Sequence, residues 1–158
     1  GAHNLGMHLA KYEWLLSLDR DHWLTEKNIS FRVRDVEKEK SEAYYFKRMY
    51  NGNLSADAPK IYLSHRDSFW KHGGYDEDFA GYYGYEDKLL YYFLTNATKK
   101  TILDNVIVQV DNQPTRNLNR RTIRNKALLN EKLLQVHHKA YKNREILRFN
   151  WKINTTNP

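Results

Sequence analysis

The sequence predicts an α/β fold, a sheet flanked by helices and followed by a helical C-terminal tail. Three observations carry this. Short apolar runs of strand length recur between stretches whose apolar residues fall at helical spacing. The acidic residues suited to chemistry either follow a predicted strand or open a predicted helix, and in open α/β sheets ligands bind beyond the carboxyl ends of the strands. Finally, the segment Asn117 to Trp151 is amphipathic at helical period.

The elements follow in order. Ala2 to Lys11 carries Leu5, Leu9 and Ala10 at helical spacing, and Glu13 to Leu18 is an apolar run of strand length. That strand ends on Asp19-Arg20-Asp21. Two carboxylates one residue apart at a strand end can both reach a hard divalent cation that also bridges phosphates, although Asp is equally at home in surface turns. Asn28 to Asp35 alternates Ile29, Phe31 and Val33 against polar residues, the pattern of a half-buried strand. Lys38 to Tyr50 is charged and then aromatic. Its Tyr44, Tyr45, Phe46 and Tyr50 read either as helix core or a partly buried face, or as a wall on which an acceptor sugar stacks. Asn51 to Pro59 reads as a loop and Lys60 to Ser64 as a short strand. Thr101 to Val110 alternates Val106, Val108 and Val110 and predicts another strand. In the tail, Ile123, Ala127, Leu128, Leu133, Leu134 and Tyr141 predict one packing stripe, with the basic residues on a solvated face.

The richest stretch is Phe69 to Tyr92, FWKHGGYDEDFAGYYGYEDKLLYY. Gly73 and Gly74 make a permissive turn at which the backbone can approach a ligand closely. Tyr75, Asp76 and Glu77 follow, then a Gly/Tyr-rich loop, then Glu86 and Asp87 ahead of Leu89, Leu90, Phe93 and Leu94. The spacing predicts a helix with both carboxylates in its first turn, where the dipole favours negative charge. Helix capping alone does not call for a double glycine and a crowd of tyrosines in front of it. Flat rings, a flexible loop and fixed carboxylates suit a sugar. Upstream, Arg66 is a cation ahead of the glycine turn and Trp70 could pack below such a sugar, with core packing the better reading for Trp70.

The block GGYDEDFAGYYGYED resembles the "GG-(F/Y)-D-E-x-F-x-G-x-G-x-E-D" signature of inverting GT-A glycosyltransferases, including the galactosyltransferase C-terminal type. A second signature of that family, "N-x-G-x-x-x-A-x-x-x-x-(L/I)-x-x-L-D-x-D", is matched in order by Asn4, Gly6, Ala10, Leu15, Leu18, Asp19 and Asp21. Tyr83 is one residue more between the loop glycines than the signature has, and Tyr85, His3 and Arg20 depart from the usual residues. The resemblance implies a Rossmann-like nucleotide-diphospho-sugar transferase sheet. It also implies Asp87 as catalytic base, Glu86 as a supporting carboxylate, and Mn²⁺ or Mg²⁺ held by Asp19 and Asp21. Where members often carry a metal-binding His after the last strand, this chain has Asp111-Asn112-Gln113, which makes Asp111 the candidate third ligand. Gly73, Gly74, Tyr75, Asp76, Trp70 and Arg66 become substrate-binding candidates. The partners implied are a nucleotide-sugar donor, with UDP-linked hexose the family expectation, and a glycan or other hydroxyl acceptor. In that family about a third of the catalytic domain precedes the "N-x-G" helix. The expectation is therefore a fragment of a longer protein, with residues 1–113 the later two-thirds of a catalytic domain and 114–158 a basic helical extension.

Composition narrows the alternatives. The chain has 158 residues and no cysteine, which excludes thiolate metal sites, disulfides and cysteine nucleophiles. It contains no apolar run long enough to span a bilayer and no signal-peptide pattern, so the expectation is a cytoplasmic protein. From Pro114 onward 11 Lys/Arg face 2 Asp/Glu, a net of +9, whereas the preceding residues carry 15 against 17. The basic tail suits peripheral contact with a membrane surface, or a nucleic-acid-binding module. Nucleic acid is the weaker reading, because the acidic motifs repel phosphate unless a metal intervenes.

Overall fold

The computed structural model describes residues 2–19, 22–24, 39–50, 52–55, 57, 59–96, 99–110 and 123–141. They form a mixed α/β structure in which a mixed sheet is flanked by helices. The order is α1 (Ala2–Leu9), β1 (Trp14–Ser17), β2 (His22–Leu24), β3 (Glu42–Tyr50), β4 (Asn53–Ser55), β5 (Tyr62–His65), α2 (Arg66–Lys71), α3 (Glu86–Asn96), β6 (Lys99–Val110) and α4 (Ile123–His137). A 3₁₀ turn, Glu77–Phe79, sits between α2 and α3. The strands lie in the order β1-β5-β3-β6-β2, and β4 folds back on the end of β3. Among the described strands only β3 and β6 pair in parallel, with a register shift between Phe46 and Lys47; β1, β5 and β2 run antiparallel to their neighbours.

Burial explains the strands. β3 is the central strand, paired on one side with β5 and on the other with β6. Its residues Ala43 to Phe46 are all buried, because a central strand covered on both faces must be apolar on both. Ala43 and Tyr45 join Met7 of α1, Leu15, Tyr62, Phe69, Tyr75, Leu90 and Leu94 on one face. Tyr44 and Phe46 join Ile61, Leu63 and Leu103 on the other. This corrects the reading of the aromatic run as a helix core or an acceptor wall: Tyr44, Tyr45 and Phe46 are strand residues inside the core. The segment expected as loop, Asn51 to Pro59, contains β4. The predicted strand Asn28 to Asp35 lies outside the described residues.

The helices begin where local chemistry favours them. His65 caps α2, its imidazole Nδ1 accepting from the Asp67 amide at 3.2 Å. Asp76 does the same for the 3₁₀ turn, accepting from the Asp78 amide at 2.9 Å. The start of α3 carries Glu86 and Asp87 against the positive end of its dipole, and its Leu89, Leu90 and Leu94 are buried.

The tail helix α4 keeps only part of its predicted stripe: Leu128, Leu133 and, just beyond the helix, Tyr141 pack against Phe79, Leu89 and Leu129. Ile123 and Leu134 are exposed, and the buried residues are Asn125, Leu129 and Lys132. A face with two polar residues inward is stable only where each finds partners, and the loop before α3 supplies them. Among the described residues no helix is long and apolar enough to cross a membrane.

Candidate functional site

β1 and β5 are antiparallel with Ser17 opposite Tyr62. Residues just after Ser17 and just before Tyr62 therefore share one end of the sheet, and Asp19 and Lys60 are found there. The Lys60 ammonium is 3.1 Å from Glu86 Oε1. Burial pulls the Lys60 pKa down, but Glu86, Asp19 and Asp87 outweigh it and hold the ammonium above the ordinary lysine range. One cation thus gathers the strand-end carboxylate and the pair that opens α3. The second oxygen of Glu86 is buried and, among the described residues, accepts no hydrogen bond.

The floor of this region is built of hydroxyls. Tyr75 is 3% exposed, and its phenol lies 3.4 Å from that of Tyr62. Burial raises both phenols, Tyr62 well above the ordinary tyrosine value, although hydrogen bonds from Tyr62 and Ser17 and the nearby Lys60 charge partly offset this for Tyr75. Both therefore stay neutral donors at physiological pH.

Asn4 of α1 ties the helix to the acidic segment. Its Nδ2 donates to Tyr75 O at 2.7 Å and to Glu77 Oε1 at 3.1 Å, while the Tyr75 amide donates to Asn4 Oδ1 at 2.9 Å. Gly74 (φ +62°) makes that approach feasible: a Cβ there would stand 2.8 Å from Asn4 Oδ1 and 2.9 Å from Phe69 Cε1. Further on, Gly84 (φ 91°) and Tyr85 (φ 77°) are successive left-handed residues that turn the chain into α3. The latter is a strained conformation for a side chain of that size.

Tyr75, Asp76, Glu77, Tyr82, Glu86 and His3 line a cavity of about 170 Å³. His3 also borders an open cleft of about 400 Å³ between α1 and β1, and its ring lies 5.1 Å from that of Tyr75. No family model, no curated protein and no solved structure gives a significant match to this chain.

The expected site residues therefore divide. Tyr75, Asp76 and Glu86 share the cavity wall, and Asp19 and Asp87 act electrostatically on the lysine that pairs with Glu86. Asp87 itself is 6% exposed. Gly73 and Gly74 form the expected turn, but the surface that Gly74 meets is Asn4, Phe69 and Trp70 of the chain itself. Trp70 packs against the core, 4.7 Å from the Phe69 ring. Arg66 stands elsewhere. Its guanidinium donates to Ala10 O and its amide to Glu13 O, at the end of β1 remote from Asp19. Asp21 and Asp111 lie outside the described residues. Among the described residues no group of three or more His, Cys, Asp or Glu converges in a way that could hold a metal.

Three residues in this region carry no sequence signal of their own. Lys60 looks like an ordinary lysine ahead of an apolar strand, and only the antiparallel pairing of β1 with β5 brings it to Asp19. Asn125 and Lys132 of α4 look like polar positions of an amphipathic helix. Their inward-facing register shows only once α4 is seated on the loop before α3.

Proposed function

We propose that this chain carries the acceptor-side chemistry of a metal-dependent, inverting glycosyltransferase of the GT-A type. The observation that supports the reading is the convergence of Asp19, Glu86 and Asp87 on Lys60. It joins, at one end of the sheet, two motifs that lie far apart in the sequence. An oxygen-only donor set in a chain without cysteine fits Mn²⁺ or Mg²⁺. Asp19 together with Asp21 would hold the ion, with Asp111 the further ligand. Such an ion, when bound, neutralises the charge that develops on a departing diphosphate.

The chain's own residues do the rest. The Asp87 carboxylate takes the proton from an acceptor hydroxyl. The hydroxyl oxygen bonds to the anomeric carbon as the bond from that carbon to the diphosphate breaks, so the configuration inverts and the diphosphate leaves with the electron pair. Glu86 accepts a hydrogen bond from the acceptor through its unpartnered oxygen, while the Lys60 ammonium, 3.1 Å from its other oxygen, orients the carboxylate. The cavity beside Glu86 receives the sugar, with Tyr82 as an exposed stacking face.

The test uses water as acceptor. The chain is incubated with UDP-α-galactose and Mn²⁺, and the anomeric protons are followed by NMR. The reading predicts β-galactose as the first product. It also predicts a loss of roughly 10²- to 10⁴-fold in rate for Asp87→Asn, the range of a general base. α-Galactose as the first product would contradict inversion, and an unchanged rate in Asp87→Asn would remove that residue from the mechanism.

A further inference from the structure

The segment from Asp76 to Tyr85 leads from the Asn4-bound Tyr75 to Glu86, and its only regular structure is the one 3₁₀ turn. It is nevertheless held at both ends by α4. Near its end, Asn125 Nδ2 lies 2.9 Å from Gly84 O, 3.1 Å from Tyr82 O and 3.3 Å from Phe79 O. Two amide hydrogens thus serve three carbonyls that face one buried side chain. At its start, Lys132 Nζ lies 2.6 Å from Asp78 Oδ2 and 3.0 Å from Asp76 Oδ2. The Lys132 side chain is 3% exposed. Tyr141 closes this end, its phenol donating to Asp76 Oδ2 at 3.2 Å and its ring lying 5.6 Å from the ammonium.

Asn125 and Lys132 are seven positions apart, two turns of one helix face, with Leu129 between them packed on Phe79 and Leu89. A buried ammonium between two carboxylates, and a buried amide on three carbonyls, cost desolvation that simple packing of an amphipathic helix does not require. Both sit on the one segment that sets where Glu86 begins. Arg124, stacked 4.4 Å from the centre of the Tyr82 ring, adds a further hold on the same loop.

We propose that α4 is a positioning strut for the acceptor side of the site. Asn125 and Lys132 are its positioning residues: they fix the loop that presents Tyr82 and Glu86 and leave the Asp19 end untouched. The proposal rests on the transferase reading for its kinetic consequence, and on the geometry alone for its structural one.

The test compares wild type with Asn125→Asp, which keeps the shape and removes the donors, with Lys132→Met, and with Lys132→Arg as the conservative variant. Each is assayed well below its melting temperature. Expected for Asn125→Asp and Lys132→Met is a loss of roughly 10- to 100-fold in kcat for UDP-galactose hydrolysis, the scale of a displaced catalytic group. Affinity for UDP with Mn²⁺, read by calorimetry, should fall far less than kcat, by no more than about threefold, because Asp19 meets the displaced Glu86 through Lys60 rather than through the loop itself. Lys132→Arg should recover most of the rate. A kcat equal to wild type, or UDP affinity falling in step with kcat, would overturn the proposal.

If wild type neither binds UDP nor hydrolyses the donor, the transferase reading fails by itself. Amide hydrogen exchange then decides the strut. In Asn125→Asp the peptide spanning 79–86 should exchange roughly tenfold faster or more, with α1 and β5 unchanged. Equal exchange in that peptide, or faster exchange everywhere, would overturn it.

Discussion

Asn4 and Tyr75 hold each other by a reciprocal pair of hydrogen bonds, Asn4 Nδ2 to Tyr75 O at 2.7 Å and Tyr75 N to Asn4 Oδ1 at 2.9 Å. Asn4 is fully buried, so its amide serves the Tyr75 backbone as a neighbouring strand would. Asn4→Ala leaves a buried N–H and C=O without partners and is expected to cost about 2–4 kcal/mol, two unmet groups at roughly 1–2 kcal/mol each. Urea denaturation checks this. A loss within a few tenths of a kcal/mol would mean that water or a rearranged turn replaces the amide.

Gly74 and Gly6 make a contrasting pair. Gly74→Ala puts a methyl 2.8 Å from Asn4 Oδ1 at a φ of +62°, and left-handed strain plus overpacking predict a loss of roughly 2–4 kcal/mol. Gly6 lies within α1 with nothing within 4 Å of a Cβ. Gly6→Ala should therefore stabilise by about 0.5–1 kcal/mol, the helix propensity difference. The same urea series measures both, and equal signs would contradict the geometry.

Lys60 and Glu86 should be thermodynamically coupled. Both side chains are about one-fifth exposed (19% and 22%), so the pair is screened less than a surface ion pair and more than a fully buried one. A double-mutant cycle with Lys60→Met and Glu86→Gln is expected to return a coupling of about 1–2 kcal/mol. Lys60→Met alone should be the costlier single change, since it leaves Asp19, Glu86 and Asp87 without their shared cation. A coupling near zero would mean that the contact carries no energy.

His72 should make stability depend on pH. Burial, then the charge of Lys71, holds its pKa below the ordinary 6.5 in the folded chain, and its ring stacks on Phe93 at 6.0 Å. Between the lowered folded value and 6.5 the unfolded chain binds more protons, so this contribution is complete above about pH 6.5 and is lost as pH falls through the folded value. His72→Gln should flatten the wild-type decline in melting temperature between about pH 7 and pH 5. Parallel curves for the two proteins would remove His72 as a cause.

Much of the fold was legible because periodicity reports burial. α1, β1, β5, α3 and β6 fall close to their predicted spans. β3 was not legible as a strand, because Tyr44, Tyr45 and Phe46 are buried on both faces and show no alternation. Strand direction left no mark either. The antiparallel pairing of β1 with β5 carries Arg66 away from Asp19 and brings Lys60 in. The inward face of α4 was hidden for a related reason: Asn125 and Lys132 count as polar in any hydrophobic pattern, yet their partners, such as Tyr82 and Asp78, lie 43 and 54 residues earlier in the chain.

Asp19 and the Glu86–Asp87 pair are proposed to serve one site that handles a nucleotide sugar. Calorimetric titration of UDP into the chain, with and without Mn²⁺, tests it most directly when wild type is set beside Asp19→Asn. Binding is expected to need the metal and to weaken at least about tenfold in Asp19→Asn, the loss of one charged ligand. UDP affinity indifferent to both Mn²⁺ and Asp19, or no binding by wild type under any of these conditions, would contradict it.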